Sequence, residues 1–130
     1  MPTATRPDLG LSQRFVDALG AADWDAVRSL LAEDVHFRGL VPARLREENG
    51  PAAVVERFRF WGADLEDLRL LDAEVVPMAN QVRVRYRLAG TDRDDGPVVV
   101  EQQCYVTVEA GQITKINSVC SGLQPADSLR

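Results

Sequence analysis

The sequence is short of the residues that several functional classes depend on. Its 130 residues include two cysteines, Cys104 and Cys120, a single histidine, His36, and a single lysine, Lys115. With no Cys-x-x-Cys and no Cys/His cluster, the chain lacks the ligand spacing of a zinc site and the cysteine density of a disulfide framework. It has no run near the roughly 18 apolar residues of a membrane-spanning helix. The opening "MPTATRPDLG" has no apolar stretch of signal-peptide length, so a cytoplasmic location is expected. Positive charge is also scarce: the net charge is −5 and the pI near 4.8, which disfavours a nucleic-acid partner and an anionic membrane surface. No glycine-rich phosphate loop, GxGxxG fingerprint or metal-ligand cluster occurs, so no cofactor and no metal are expected.

What is present suits one core. A composition of 45% hydrophobic and 27% charged residues is ordinary for a single globular domain of this length. Residues 1–8 read as a polar leader and 123–130 as a tail, both expected to be flexible. Leu11, Phe15, Ala18 and Leu19 recur at helical spacing, with Gly20 as the stop. Asp23 is a good N-cap for a second helix with Trp24, Val27, Leu30 and Leu31 on its stripe. "VHFRGLVPARLREENGP" reads as a short strand, a turn around Gly39 to Pro42 and a second extended piece. Asn49-Gly50-Pro51 then opens a third helix, which buries Val54, Phe58 and Trp61 and stops at Gly62. From about Leu68 the period becomes two: a strand, a turn at Pro77 to Asn80, and a strand with Val82, Val84, Tyr86 and Leu88 on one face. "TDRDDGP" is a charged loop, and two last strands flank Ala110-Gly111. This order of elements is an α+β layout, with helices on one side of a sheet.

The stretch "VVVEQQCYVTV", residues 98–108, is β-branched and alternating yet holds Glu101, Gln102, Gln103, Cys104 and Tyr105. A two-residue turn that opposes Glu109 and Gln112 sets a register in which Tyr105 faces Ile116, Gln103 faces Ser118 and Glu101 faces Cys120. These six then share one surface. Val98, Val100, Gln102, Cys104, Val106, Val108, Ile113, Lys115, Asn117 and Val119 share the other. In that register Cys104 and Cys120 point to opposite sides and form no intramolecular disulfide. A bulge at Gly111 would shift it by one. Helices cannot cover both faces, so one is expected to meet another subunit.

"QRFVDALGAADWDAVRSLLAEDV", the short hairpin, "NGPAAVVERFRFW", "VVPMANQVRVRYRL" and "VEQQCYVTVEAGQITKI" together resemble the nuclear transport factor 2-like superfamily over about residues 11–120. That superfamily includes ketosteroid isomerases, polyketide-cyclase-like proteins and limonene epoxide hydrolases. The resemblance implies a cone-shaped α+β barrel in which three N-terminal helices pack in a strongly bent, mostly antiparallel sheet. It also implies an apolar pocket and a homodimer through the outer sheet face. Of the ketosteroid isomerase catalytic set, an Asp base with an oxyanion pair of Tyr and protonated Asp, the tyrosine falls on Phe15, the base on Gly39 and the protonated aspartate on Gln103. The last-strand carboxylate of limonene epoxide hydrolases has Ile116, Ser118 and Cys120 at its equivalent inward positions. Both catalytic sets are therefore incomplete.

On the face implied to be inward, Glu101 is the expected proton shuttle, because desolvation raises a carboxyl pKa toward neutrality. Gln103 and Tyr105 are the expected oxyanion donors. Phe15, Phe37, Phe58, Trp61, Tyr86, Ile116, Ser118 and Cys120 are expected to contact an apolar ligand. Cys120 is a poor nucleophile beside a carboxylate. His36 reads as a packed or partly exposed side chain, and Arg83, Arg85 and Arg87 as an outer row paired with acids. Arg44, Arg46, Glu47 and Glu48 decorate the hairpin near the cone mouth. The leading expectation is a cofactor-free enzyme of the cyclase or isomerase kind that cyclises, isomerises or hydrates an apolar organic substrate. The competing one is a ligand-binding or dimerisation module without catalysis; a transport adaptor has only the shared fold behind it. The two diverge on whether Glu101 is inward, dry and unpaired.

Overall fold

A computed structural model describes residues 8–60 and 62–129. Helix α1 spans Leu9–Gly20, α2 Trp24–Ser29 and α3 Pro51–Phe60; strands β1 to β7 span Leu31–Val41, Arg44–Asn49, Leu65–Met78, Gln81–Asp92, Gly96–Glu109, Gln112–Cys120 and Gln124–Pro125, before a 3-10 turn at Ala126–Leu129. Local chemistry places the ends of the helices. Asp8 and Asp23 accept from the backbone N–H of Leu11 and Ala26, at 2.9 and 3.2 Å, which satisfies donors that a first turn leaves free. Pro51 occupies the first position of α3, where its missing N–H costs nothing. α2 ends at Ser29, just short of the end of its apolar stripe, because Leu31 already belongs to β1.

The strands form one curved mixed sheet in the order β2-β1-β6-β5-β4-β3, with β7 added beside β5. β1 runs parallel to β6, and the other pairs are antiparallel. The sheet does not close on itself. The three helices lie on its concave face, as the resemblance implied, and the α+β cone is the observed architecture among the described residues. Residues 124 and 125 of the expected tail pair with Val99 and Val98 of β5. No described helix is long and apolar enough to cross a membrane.

The core fills the cone. Phe58 of α3 meets Phe15 of α1 and Phe37 of β1 edge to face, with ring centroids 5.7 and 5.3 Å apart. Around them pack Leu11, Val16, Val54, Val84, Val106, Ile113 and Ile116, all buried. Gly39 lies beneath this cluster: a Cβ there would come within 2.5 Å of the Phe37 ring, so the space at the implied base position belongs to an aromatic side chain.

The last hairpin departs from the expected register. Glu109 opposes Gln112 and Val108 opposes Ile113, but Thr107 then pairs with Lys115, leaving Thr114 as a bulge. Beyond it Tyr105 faces Asn117, Cys104 faces Ser118, Gln103 faces Val119 and Gln102 faces Cys120. The slip arises at Thr114 and not at Gly111. It comes from the core: Ile113 and Ile116, three residues apart, are both fully buried, and a regular strand would send one of them outward.

Candidate functional site

The bulge decides which side chains the cone contains. Tyr86, Gln102 and Cys120 form a rank across β4, β5 and β6 on the concave face, and Val84, Cys104 and Ser118 form the next. Tyr86 and Cys104 are fully buried, Gln102 and Ser118 nearly so. The Tyr86 hydroxyl donates to Gln102 Oε1 and lies 3.9 Å from Cys104 Sγ. Ser118 Oγ makes no hydrogen bond of ordinary geometry. Burial pushes the Tyr86 phenol well above its usual pKa, and the neighbouring Cys104 adds to this. Burial also pushes the Cys104 thiol up to about 11, with the Ser118 and Tyr86 hydroxyls offsetting only part. Both groups are neutral at pH 7, and burial moves them further from serving as a base.

The expected catalytic face is corrected by the alternation of β5 itself, which turns Val100, Gln102 and Cys104 inward. Glu101, Gln103 and Tyr105 lie on the convex side of the sheet, opposite Arg87, Arg85 and Arg83 of β4. Arg87 Nε donates to Glu101 Oε1 at 2.7 Å, Arg85 Nη1 stands 3.6 Å from the same oxygen, and the Glu101 side chain is 34% exposed. Glu101 is thus outward, partly wet and paired. Arg83 and Arg85 in turn hold Glu74 and Asp72 of β3, at 2.5 and 3.1 Å, as an outer charged row. Tyr105 borders a shallow outer depression of about 240 Å³ beside Arg38, Leu40, Leu45 and Val119. Cys104 and Cys120, placed on opposite sides by the expected register, share the inner face as diagonal neighbours. Diagonal neighbours on a sheet face stand about 7–8 Å apart, beyond ordinary disulfide reach, and both thiols are free.

Of the expected ligand contacts, Phe15, Phe37 and Phe58 are packed on one another in the core. Tyr86, Ile116 and Ser118 are buried on the inner face, and Cys120 borders open space. Trp61 lies outside the described residues. His36, a third exposed, stands 3.8 Å from Glu47 on the rim hairpin.

Open space remains at the cone mouth. A cavity of about 170 Å³ has walls from Val41, Val100 and Leu123, with Cys120 and Gly122 beside them and Arg46, Arg57 and Phe60 at its edge. A groove of about 420 Å³ continues outward between β2 and α3 past Glu48, Ala53 and Glu56. Arg46 and Glu48 face inward because they oppose Gly39 and Phe37 across the β1–β2 hairpin. Glu48 Oε1 accepts from Arg57 Nη2 at 2.9 Å and from Nε at 3.3 Å. Arg46 makes no hydrogen bond or ion pair among the described residues. Val100 and Cys120 flank Gln102, so the buried Tyr86–Gln102 pair lies directly behind the cavity wall.

Sequence reasoning missed Gln102, Cys104 and Arg57. The first two were legible from their shared phase with Val98, Val100, Val106 and Val108. Arg57 was not, since an arginine on an amphipathic helix looks the same whether it meets solvent or a rim carboxylate.

The SnoaL-like domain model matches residues 12–116, and the chain belongs to that family. A structure from Xanthomonas campestris, provisionally described as a polyketide cyclase, is 28% identical over 85% of this chain and 87% of that one, with a TM-score of 0.67. A protein of ketosteroid isomerase-like fold from Catenulispora acidiphila, in complex with trimethylamine, is 14% identical over 85% of both chains, with a TM-score of 0.69. A second provisionally described polyketide cyclase, from Pseudomonas putida, is 20% identical over 85% and 88%, with a TM-score of 0.64. The latter two are likenesses of fold alone. No curated protein matches the chain.

Proposed function

We propose that this member of the SnoaL-like family is a small-molecule binding protein that receives an apolar organic ligand at the mouth of the cone. The observation that carries this reading is the separation of the polar groups. The two ionisable side chains fully buried on the inner face, Tyr86 and Cys104, are neutral at pH 7, and burial moves both further from ionisation. Glu101, the expected proton shuttle, is tied to Arg87 on the other side of the sheet. Glu48, the carboxylate that β2 turns inward, is held by Arg57 at the rim. A ligand in the cavity therefore meets apolar walls with guanidinium groups at the edge, and no free base among the described residues beside the Tyr86–Gln102 pair.

The catalytic reading draws its support from the 28% identity to the provisionally described polyketide cyclase. Cofactor-free cyclisation, isomerisation or hydration would have Tyr86 and Gln102 polarising a substrate oxygen, and would take its base from the ligand or solvent. One probe separates the two. Acetophenone is neutral and apolar, and carries an enolisable methyl group. Titrated into the protein in D2O, it is expected to shift the methyl resonances of Val41, Val100 and Leu123 without gaining deuterium faster than in buffer. Deuterium uptake that disappears in Tyr86→Phe would replace binding with catalysis. Unmoved methyl resonances would remove the cavity from consideration altogether.

A further inference from the structure

The mouth of the cone carries a sign of charge opposite to that of the chain. The protein as a whole is acidic, at −5, yet the cavity edge is formed by two guanidinium groups, Arg46 and Arg57. The acids nearby are already engaged: Glu48 holds Arg57 at 2.9 Å, and Glu56 stands 3.6 Å from Arg59. Only two donors of Arg57 are used on Glu48, its Nε and Nη2. Arg46 is half-buried and makes no hydrogen bond or ion pair among the described residues. Desolvation, followed by the like charges of Arg44 and Arg57, lowers the Arg46 pKa, and the attraction of Glu48 offsets only part of this.

The chemistry on the other side of the cavity is different. Val41, Val100 and Leu123 offer carbon, and the space of about 170 Å³ that they enclose is close to an apolar cavity of about 150 Å³, which holds benzene. A guanidinium presents a planar fork that fits a carboxylate through paired hydrogen bonds, and such charge-assisted bonds are stronger than neutral ones. A cation would meet Arg46 and be repelled. A ligand with charge along its whole length would waste the apolar wall.

We infer that the cavity selects a small aromatic or comparably compact monocarboxylate, with its carboxylate on Arg46 and the free edge of Arg57 and its apolar body against Val41, Val100 and Leu123. The inference rests on the binding reading above and names the class of molecule bound. It accounts for an inward arginine that the fold does not otherwise use, and it gives the cavity an orientation: head at the rim, body toward Cys120 and the Gln102 wall.

Benzoate and its neutral isostere benzamide test it. Each is titrated into the full chain and followed by the methyl resonances of Val41, Val100 and Leu123. Benzoate is expected to bind at least about tenfold more tightly than benzamide, a difference of about 1.4 kcal/mol. Arg46→Gln should weaken benzoate binding far more than benzamide binding and so remove that advantage, and Arg46→Lys should retain part of it. An otherwise unchanged methyl spectrum of the free variant reports that it is folded. Equal affinity of wild-type protein for the two ligands would overturn the carboxylate inference and leave the binding reading standing. An Arg46→Gln variant that loses both ligands equally would overturn it too. If neither ligand moves the cavity methyls, both readings fall.

Discussion

Strand β5 presents Val100, Gln102 and Cys104 to the helices and Glu101, Gln103 and Tyr105 to the opposite side, and the two sets meet unlike surroundings. On the inner side a phenol, an amide and a thiol are buried together without a formal charge near them. On the outer side every second residue faces an arginine of β4, and the groups remain in contact with water. Residue type does not separate the sets, since each has a glutamine and an ionisable group. Their phase along β5 does. A polar side chain is functionally informative only once its side of the sheet is known, because burial changes a hydroxyl or thiol far more than a nearby ion pair changes an exposed carboxylate.

The largest expected contrast between the two faces is in pH dependence. The folded-state pKa of Cys104 is raised to about 11 from an ordinary value of 9.0. Below about pH 9 the thiol is protonated in the folded and unfolded chain alike, and its contribution is complete. Between about 9 and 11 the unfolded chain releases the proton and the native one keeps it, so stability falls by up to about 1.4 kcal/mol per pH unit. Tyr86, raised above the tyrosine range, acts in the same direction at higher pH. Urea unfolding from pH 8 to 10 should show this fall in the wild type and a shallower one in Cys104→Ala. Parallel curves would mean that the thiol is not desolvated, and the two faces would then be less different than the geometry makes them.

A smaller contrast compares the adjacent glutamines. Gln102→Leu leaves the Tyr86 hydroxyl buried without its acceptor, at a cost of about 1–3 kcal/mol. Gln103→Leu, on the outer side, should stay within about 0.5 kcal/mol. Tyr86→Phe combined with Gln102→Leu should recover much of the loss, because neither partner is then left unpaired. A double variant no better than Gln102→Leu alone would show that the amide is held by something other than the phenol.

Much of the fold could be read from the chain because it follows from periodicity and caps. Asp23, Pro51 and the Ala110–Gly111 turn each act locally, and each stands where its local chemistry requires. The site could not be read in the same way. The residues that β6 adds to its inward face depend on one unpaired residue, Thr114, whose side chain bonds Glu109 Oε1 at 3.0 Å but whose placement is enforced by Ile113 and Ile116 packing into the core. The resemblance turned Gln103, and with it Glu101 and Tyr105, inward, and the assumed regular hairpin then set Ile116, Ser118 and Cys120 beside them instead of beside Gln102 and Cys104. The rim was harder still. Arg46 and Glu48 take their orientation from the β1–β2 pairing, and Arg57 finds Glu48 only after α3 folds back across that hairpin.

Glu101→Gln is the smallest change expected, and it is the sharpest test of the comparison. Glu101 accepts from Arg87 and adjoins Arg85, but a partly exposed ion pair contributes about 0–1 kcal/mol, because solvent screens it and two long side chains must be held in place. The amide keeps the shape and one acceptor, so the loss should lie at the low end of that range. It should shrink further in about 1 M salt, where charges are screened within about 3 Å. The affinities for acetophenone and benzoate should not move at all, since the residue and the cavity lie on opposite sides of the sheet. A loss above about 2 kcal/mol would place the carboxylate in a drier setting than its exposure implies. A change in ligand affinity would be more serious, because it would connect the outer charged row to the cavity through β5 and return Glu101 to the site.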